Sequence, residues 1–391
     1  MTERREVYLD YAAATPMDPE VVAAMTPYLT ERFYNPSAPY ALARGVHDDV
    51  ERARATLARL IGARSDCITL TAGATEANNL AFAAVDGHVV VDAIEHESVL
   101  ACAGTHERRT VRVGPDGRVD PEAIASAITP QTELVSVALA NGEIGTIQPV
   151  REISRVVVAE RSRRLAAGEK TPIWLHTDAS QAAGVLSVNV SSLGCDMLTL
   201  SAAKIYGPKQ VGLLWASEDV RLRPLIVGGG QEGGVRSGTE NVAGIVGFAR
   251  ALELASERRS EESRRLAGLR DRLERGILEC FPWAEVSGPK NPKCRLPGLL
   301  SVSFPGLEAR RLVIALEREG VSVGTGSACA ASRMRTSHVL EAIGLSREAA
   351  QGSLRFSLGR STTEDDVDYA LKALGRVVGA EAARTGVGGV S

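Results

Sequence analysis

Residues 174–209 read WLHTDASQAAGVLSVNVSSLGCDMLTLSAAKIYGPK, and in this stretch two short apolar runs each deliver a charged side chain at their far end. IWLH (173–176) reads as one buried strand with Asp178 just beyond it, and MLTLS (197–201) as another with Lys204 just beyond it. A carboxylate in that position needs a cationic or hydrogen-bonding partner to offset its desolvation, a need that capping a following helix would also meet. Gln181 follows closely enough to serve the same pocket. A lysine at the end of an apolar strand and before the Gly207-Pro208 turn is seldom a surface residue. Apolar surroundings lower its proton affinity and make it an amine able to form Schiff bases.

The same strand-then-helix rhythm extends on both sides. CITLTAG (67–73) precedes a helix from Thr75, HVVVDA (88–93) one from about Ser98, and ELVSVALA (133–140) one from about Val150, with a further strand at GLLWAS (212–217). This order predicts an α/β fold with a mostly parallel sheet covered by helices, and such sheets bind ligands at the carboxyl ends of their strands. IVGGGQEGGVRSGT (226–239) interrupts the pattern, and Asn241 to about Leu278 reads as one or two charged amphipathic helices. Prolines 282, 289, 292 and 297 mark loops ahead of a second pattern: strand LLSVSF (299–304), helix 308–319, strand VSVGTG (321–326), helix 336–343, strand SLRFSL (353–358) and helix 364–378. We therefore expect a large domain over 15–254 and a smaller α+β domain from 1–14 and 255–391.

Composition narrows the function classes. With 45 Lys+Arg against 48 Asp+Glu, a formal charge of −3, 44% hydrophobic and 24% charged residues, the 391-residue chain has no electrostatic footprint for a nucleic-acid or membrane partner. MTERREVYLDYAAAT lacks an apolar core for a signal peptide, and no run reaches membrane-spanning length, so the expected compartment is the cytoplasm. Cys67, Cys102, Cys195, Cys280, Cys294 and Cys329 lie far apart with no CxxC, which predicts neither a disulfide framework nor a metal site. A functional cysteine here acts as a thiol.

TAGATEANNL (71–80) sets Gly73 and Ala74 after a strand and Thr75 at the expected helix N-cap, so that backbone N–H groups and a hydroxyl converge on an anion site. A plain helix cap would use the same residues. A lysine able to form a Schiff base, an aspartate able to pair with a pyridinium nitrogen and a phosphate-binding loop are together the three protein parts that pyridoxal 5'-phosphate requires.

On these residues the chain resembles, along nearly its whole length, the cysteine desulfurases of the class V aminotransferase family, which are fold type I pyridoxal-phosphate enzymes. The resemblance rests on YLDYAAATP (8–16), TAGATEANNL (71–80), EHESVL (95–100), EIGTIQP (143–149), HTDASQ (176–181), KIYGPK (204–209), RSGT (236–239), GTGSACA (324–330), SHVLEAIG (337–344) and LRFSLGRSTTEDDVD (354–368). It implies a large domain with a mostly parallel seven-stranded sheet. It also implies that Lys204 carries the cofactor, that His96 stacks on its ring, that Asp178 binds the ring nitrogen and that Gln181 binds the phenolic oxygen. Ala74, Thr75 and Ser201 would hold the phosphate, joined by Thr239 from the neighbouring subunit of a homodimer. Arg355 would clamp the substrate carboxylate through its planar fork, with Asn35 and Asn141 also on the substrate side.

By the same resemblance, L-cysteine becomes L-alanine, His96 manages the thiol proton, and the sulfur rests as a persulfide on Cys329. From there it passes to an acceptor protein serving iron–sulfur cluster assembly or another sulfur-requiring pathway. The small residues around Cys329 suit an accessible thiolate, whereas Cys67 and Cys195, beside apolar strands, suit inert packing. A selenocysteine lyase, an aminotransferase of the same class, or a weakly active sulfur-carrier scaffold would share most of these features. Ser201-Ala-Ala-Lys204 also matches the S-x-x-K of penicillin-recognising acyltransferases, but neither S-D-N nor K-T-G occurs.

Four positions depart from the family pattern. Ala203 stands where a phosphate-binding histidine is usual, Gly142 where an asparagine is usual beside the cofactor, Gly233 where arginine is common, and Tyr40 where histidine is common. Two missing donors at about 1–3 kcal/mol each would weaken cofactor or substrate contacts by roughly one to several decades unless other groups compensate.

Overall fold

The computed structural model describes residues 5–325 and 337–387. In chain order the strands are β1 (Val7–Leu9), β2 (Ile68–Thr71), β3 (His88–Asp92), β4 (Arg108–Val111), β5 (Thr132–Ser136), β6 (Trp174–Asp178), β7 (Met197–Ser201), β8 (Gly212–Ala216), β9 (Glu285–Ser287), β10 (Leu299–Ser303), β11 (Val321–Val323) and β12 (Ser353–Ser357). Seven of them form one sheet in the order β2-β8-β7-β6-β5-β3-β4, in which β8 alone runs against the rest. This is the mostly parallel seven-stranded sheet expected. A three-stranded antiparallel sheet, β12-β10-β9, and the parallel pair of β1 with β11 belong to the smaller unit.

The strands of the large sheet read as unbroken apolar runs because both faces are covered. Alternate residues then enter different cores. Val90, Val135, Leu198 and Leu213 pack on one face, and Val89, Val91, Leu134, Met197 and Leu214 on the other. A further apolar cluster gathers Leu300 and Val302 of β10, Leu354 and Phe356 of β12, Leu312 and Leu316 of the helix Ala309–Arg318, and Val367, Ala370 and Leu374 of the helix Glu364–Thr385. Val7 and Leu9 join this cluster too.

The one or two amphipathic helices expected after Asn241 are a single helix, Val242–Cys280, of 39 residues. Its early turns bury Ile245, Phe248 and Leu252 in the large core, and its later turns bury Leu266, Leu269 and Leu273 in the second. One helix therefore belongs to both cores.

Strands β1, β4 and β9 were not legible. β4 is the edge strand RRTV, with three of its four residues exposed, so it carries no apolar alternation to read. β1 and β9 have three residues each and take their strand character from partners distant in sequence.

One close approach positions the site. Gly212 opens β8 and lies between Thr71 of β2 and Ser201 of β7. A Cβ there would stand 2.7 Å from the Gly73 carbonyl carbon and 2.7 Å from the Leu200 carbonyl oxygen, backbone on both sides. Gly212→Ala is thus expected to destabilise the protein by about 1–3 kcal/mol through overpacking. Gly375→Ala, in the helix Glu364–Thr385 with nothing within 4 Å of its added methyl, should be neutral or stabilising. Thermal denaturation of the two variants checks the contrast.

Candidate active site

The carboxyl ends of β3, β5, β6 and β7 open into one cavity of about 700 Å³. Its wall includes Ala74, Thr75, His96, Asn141, Asp178, Gln181, Ser201, Lys204 and Arg355, nine residues that sequence reasoning singled out. Asn35 and Thr239 are exposed and do not line it, and Asn35 spends its side-chain oxygen on the Ser37 N–H at 2.9 Å. Cys329 lies outside the described residues.

Lys204 ends the short turn Ala202–Lys204 that follows β7. Its Nζ donates to the Ala12 carbonyl at 2.8 Å and the Ala13 carbonyl at 2.7 Å, so the segment after β1 closes over the amine. Asp178 is the last residue of β6 rather than a helix cap. Its Oδ1 accepts from the Ser180 N–H at 2.9 Å and its Oδ2 from Asn78 Nδ2 at 2.9 Å. Gln181 donates through Nε2 to the same Ala12 carbonyl at 3.0 Å.

At the anion end the structure corrects one expectation. The helix runs Ala74–Ala83 with Gly73, not Thr75, as its N-cap, because Gly73 adopts φ 128°, a conformation that residues with a Cβ rarely take. Thr75 sits inside the first turn. Among the described residues no side chain caps this helix, so its first N–H groups are left to the cavity. Glu76 would oppose an anion there, but Arg236 Nε pairs with it at 2.9 Å. An uncapped helix end, Ser201, a lysine and a carboxylate on one concave surface fit the donor set that pyridoxal phosphate needs.

His96 is exposed and caps the helix Glu97–Ala103, its Nδ1 accepting from the Ser98 N–H at 3.1 Å. It therefore opens a helix and faces the cavity at once. Arg355, on β12 and only 4% exposed, donates through Nη2 to Asp10 Oδ1 at 2.7 Å and through Nη1 to the Gly142 carbonyl at 3.0 Å. Its Nε has no partner among the described residues. Nε is itself buried, but Nη1 and Nη2 each carry a second N–H beyond the one these bonds use, and such a fork at the cavity wall suits a carboxylate ligand.

Two of the departures have a structural account. A Cβ on Gly142 would stand 2.8 Å from Gln181 Cδ, so Gln181 fills the space that an asparagine would take. Neighbouring Asn141 turns its amide to the backbone, accepting from the Glu143 and Ile144 N–H groups and donating to the Ile94 carbonyl. Gly233 is exposed at φ 61° with nothing near it, and Tyr40 is half exposed, edge-on to Tyr34. Ala203 lines the cavity with no polar side chain, and nothing in the structure explains its histidine's absence.

Sequence reasoning missed a further set of groups, Glu95 and His338 in the cavity wall and Asp92 and His176 behind it. Burial pushes the Asp92 carboxyl up to about 7, and burial together with the charges of Asp92 and Asp178 pushes Glu95 well above the usual carboxylate range. Both are 1% exposed, and Asp92 Oδ2 and Glu95 Oε2 have no partner among the described residues. His176, fully buried between Ser136 Oγ at 2.8 Å and Thr199 Oγ1 at 3.0 Å, is pushed down to about 4 by burial. His338 Nε2 donates to the Glu95 carbonyl at 3.0 Å. The sequence signal was a pair of acids at the end of an apolar strand, Asp92 and Glu95, where one would be expected in solvent.

The Asp92 shift fixes a pH dependence. A carboxyl raised from 3.8 to about 7 on folding contributes stability that is fully present below its unfolded value and is lost as pH rises through about 7. Asp92→Asn is therefore expected to gain stability relative to the parent chain as pH rises from about 5 to about 8. Denaturant melts across that range check it, and parallel curves for the two proteins would contradict it.

The Aminotransferase class-V family profile matches residues 7–370. The chain is 41% identical over 387 residues to a protein named cysteine desulfurase IscS from Dictyoglomus turgidum, covering 96% of this chain and 95% of that one. Among solved structures it superposes on a NifS-like protein with TM-score 0.86 at 33% identity, covering 96% of this chain and all of that one. It also superposes on SspA in complex with cysteine, with TM-score 0.77 at 31% identity over 90% of this chain and 98% of that one.

Proposed function

The chain belongs to the class V aminotransferase family, and on that premise we infer that it is a pyridoxal-phosphate-dependent cysteine desulfurase, releasing L-alanine and handing the sulfur on as a persulfide. The observation that carries this reading is the meeting of Lys204, Asp178 and the open end of the helix Ala74–Ala83 in one cavity. In this reading Lys204 holds the cofactor, Asp178 meets its ring nitrogen, Gln181 its phenolic oxygen and His96 its face. Ala74, Thr75 and Ser201 receive the phosphate. When bound, pyridoxal phosphate supplies an electron sink for negative charge at the substrate's Cα.

The chain's own residues do the rest. Arg355 takes the carboxylate of cysteine with the second N–H groups of Nη1 and Nη2, and Asn141 holds the neighbouring loop in shape. The Lys204 amine takes the Cα proton, and His96 handles the proton of the substrate thiol. The Cys329 thiolate attacks the substrate sulfur, an S–S bond forming as the Cβ–S bond breaks, and the carbon released is protonated to give alanine.

A homodimer completes the proposal, with Thr239 of each subunit reaching the partner's phosphate site. Support comes from the exposure of Thr239 away from its own cavity and from apolar side chains left in solvent, Phe33 at 67%, Leu42 at 59% and Val227 at 78% exposed. A sulfur-acceptor protein and a cytoplasmic location belong to the same reading. Among the described residues no helix is long and apolar enough to cross a membrane. We also take 15–254 and 1–14 with 255–391 as the two domains, since Val21 packs in the first core and Val7 and Leu9 in the second.

The test is the mass of the protein after exposure to cysteine and digestion. One extra sulfur is expected on the peptide holding Cys329, together with alanine release, and both should vanish in Cys329→Ser. Full cysteine turnover by Cys329→Ser would overturn the persulfide role.

A further inference from the structure

Asn78 lies on the helix Ala74–Ala83, four residues beyond the anion end, and is fully buried. Its amide nitrogen donates twice, to Asp178 Oδ2 at 2.9 Å and to Ser98 Oγ at 2.9 Å. A carboxylate oxygen only accepts, so the amide must be oriented with its NH2 group toward Asp178. The opposite orientation would press Oδ1 against the carboxylate. Oδ1 is left buried with no partner among the described residues, a cost of the kind that native structures keep where a specific contact requires it.

The chain of bonds continues past Ser98. Because Ser98 Oγ accepts from Asn78, its own hydrogen is available to His96 Nδ1, 2.8 Å away. The Ser98 backbone N–H points at the same nitrogen from 3.1 Å. Nδ1 thus meets donors only, and a neutral His96 carries its hydrogen on Nε2. A single buried amide consequently sets the direction of a bond network that ends on Asp178 at one side and on His96 at the other.

We propose that Asn78 is a positioning residue that orients both the Asp178 carboxylate and, through Ser98, the His96 imidazole toward the cavity they share. The inference rests on the reading of Asp178 and His96 as the residues on either side of a bound cofactor. It assigns Asn78 no contact with substrate. A purely space-filling role is the competing explanation, and leucine, which repeats asparagine's branched heavy-atom skeleton without its polar atoms, would satisfy it.

The experiment uses the full chain carrying Asn78→Leu or Ser98→Ala, with Ser98→Thr as the variant that keeps the hydroxyl. Two quantities are read: the dissociation constant for pyridoxal phosphate, and the nitrogen-15 resonances of the His96 ring at alkaline pH before cofactor is added. In the parent chain His96 should be protonated on Nε2, with Nδ1 showing a hydrogen-bonded lone pair. Asn78→Leu should weaken cofactor retention about tenfold or more and move the Nδ1 resonance toward that of an unbonded nitrogen. Ser98→Ala should move the same resonance, and Ser98→Thr should restore it. If Asn78→Leu fails to fold, the Ser98 pair still decides the His96 arm. A parent chain with its hydrogen on Nδ1, or an Asn78→Leu protein with unchanged retention and an unchanged His96 spectrum, overturns the inference while the functional reading stands. A parent chain that binds no cofactor yet shows the expected ring signals and their response removes the functional reading and upholds the network.

Discussion

Lys204 and Asp178 leave the ends of the adjacent strands β7 and β6 into one cavity, and charge placed there is costly unless each group finds partners. The partners come from three directions. The segment after β1 brings the carbonyls of Ala12 and Ala13 to the lysine, the helix Ala74–Ala83 brings Asn78 to the aspartate, and the turn after β6 brings the Ser180 N–H. Two of these segments are held by the fold rather than by the site: β1 by its pairing with β11, and the Gly73 loop by its close approach to Gly212. The chemistry therefore depends on the two cores meeting correctly, and the helix Val242–Cys280, buried in both, is the element that links them.

The acids and the histidine beside and behind the cavity are arranged so that little further charge competes. Asp92 and Glu95 are raised and His176 is lowered, in each case mainly by burial, so all three tend to their neutral forms. Arg236 offsets Glu76 at the anion end, and Asp10 holds Arg355 at the opposite wall. The groups this leaves for a ligand include donors at the helix end, Lys204 and Asp178 in the middle, and the Arg355 guanidinium at the wall.

Much of this was legible in the sequence, because the parallel sheet writes its strands as continuous apolar runs and places its candidate functional residues at their ends. Asp178, Lys204 and the glycine loop were found in that way. The resemblance to a known family supplied His96, Arg355 and Ser201, whose positions no periodicity announces. What escaped was set by contacts between distant segments. The helix cap went to Gly73 instead of Thr75 because its backbone conformation, not its side chain, decides the start. Asn78 looked like one polar residue among several on a helix, and only its burial against Ser98 and Asp178 gives it meaning. The space freed at Gly142 is taken by Gln181, a compensation between residues far apart in the chain.

The central claim is that Lys204 carries the cofactor, and the cavity offers a direct rival in Lys209, which also lines it and donates to the Thr15 carbonyl at 2.9 Å. Borohydride treatment of the protein loaded with pyridoxal phosphate, followed by digestion and mass analysis, locates the attachment. The account predicts a pyridoxyl group on Lys204 and on no other lysine. A group on Lys209, or a protein that takes up no label, would contradict it.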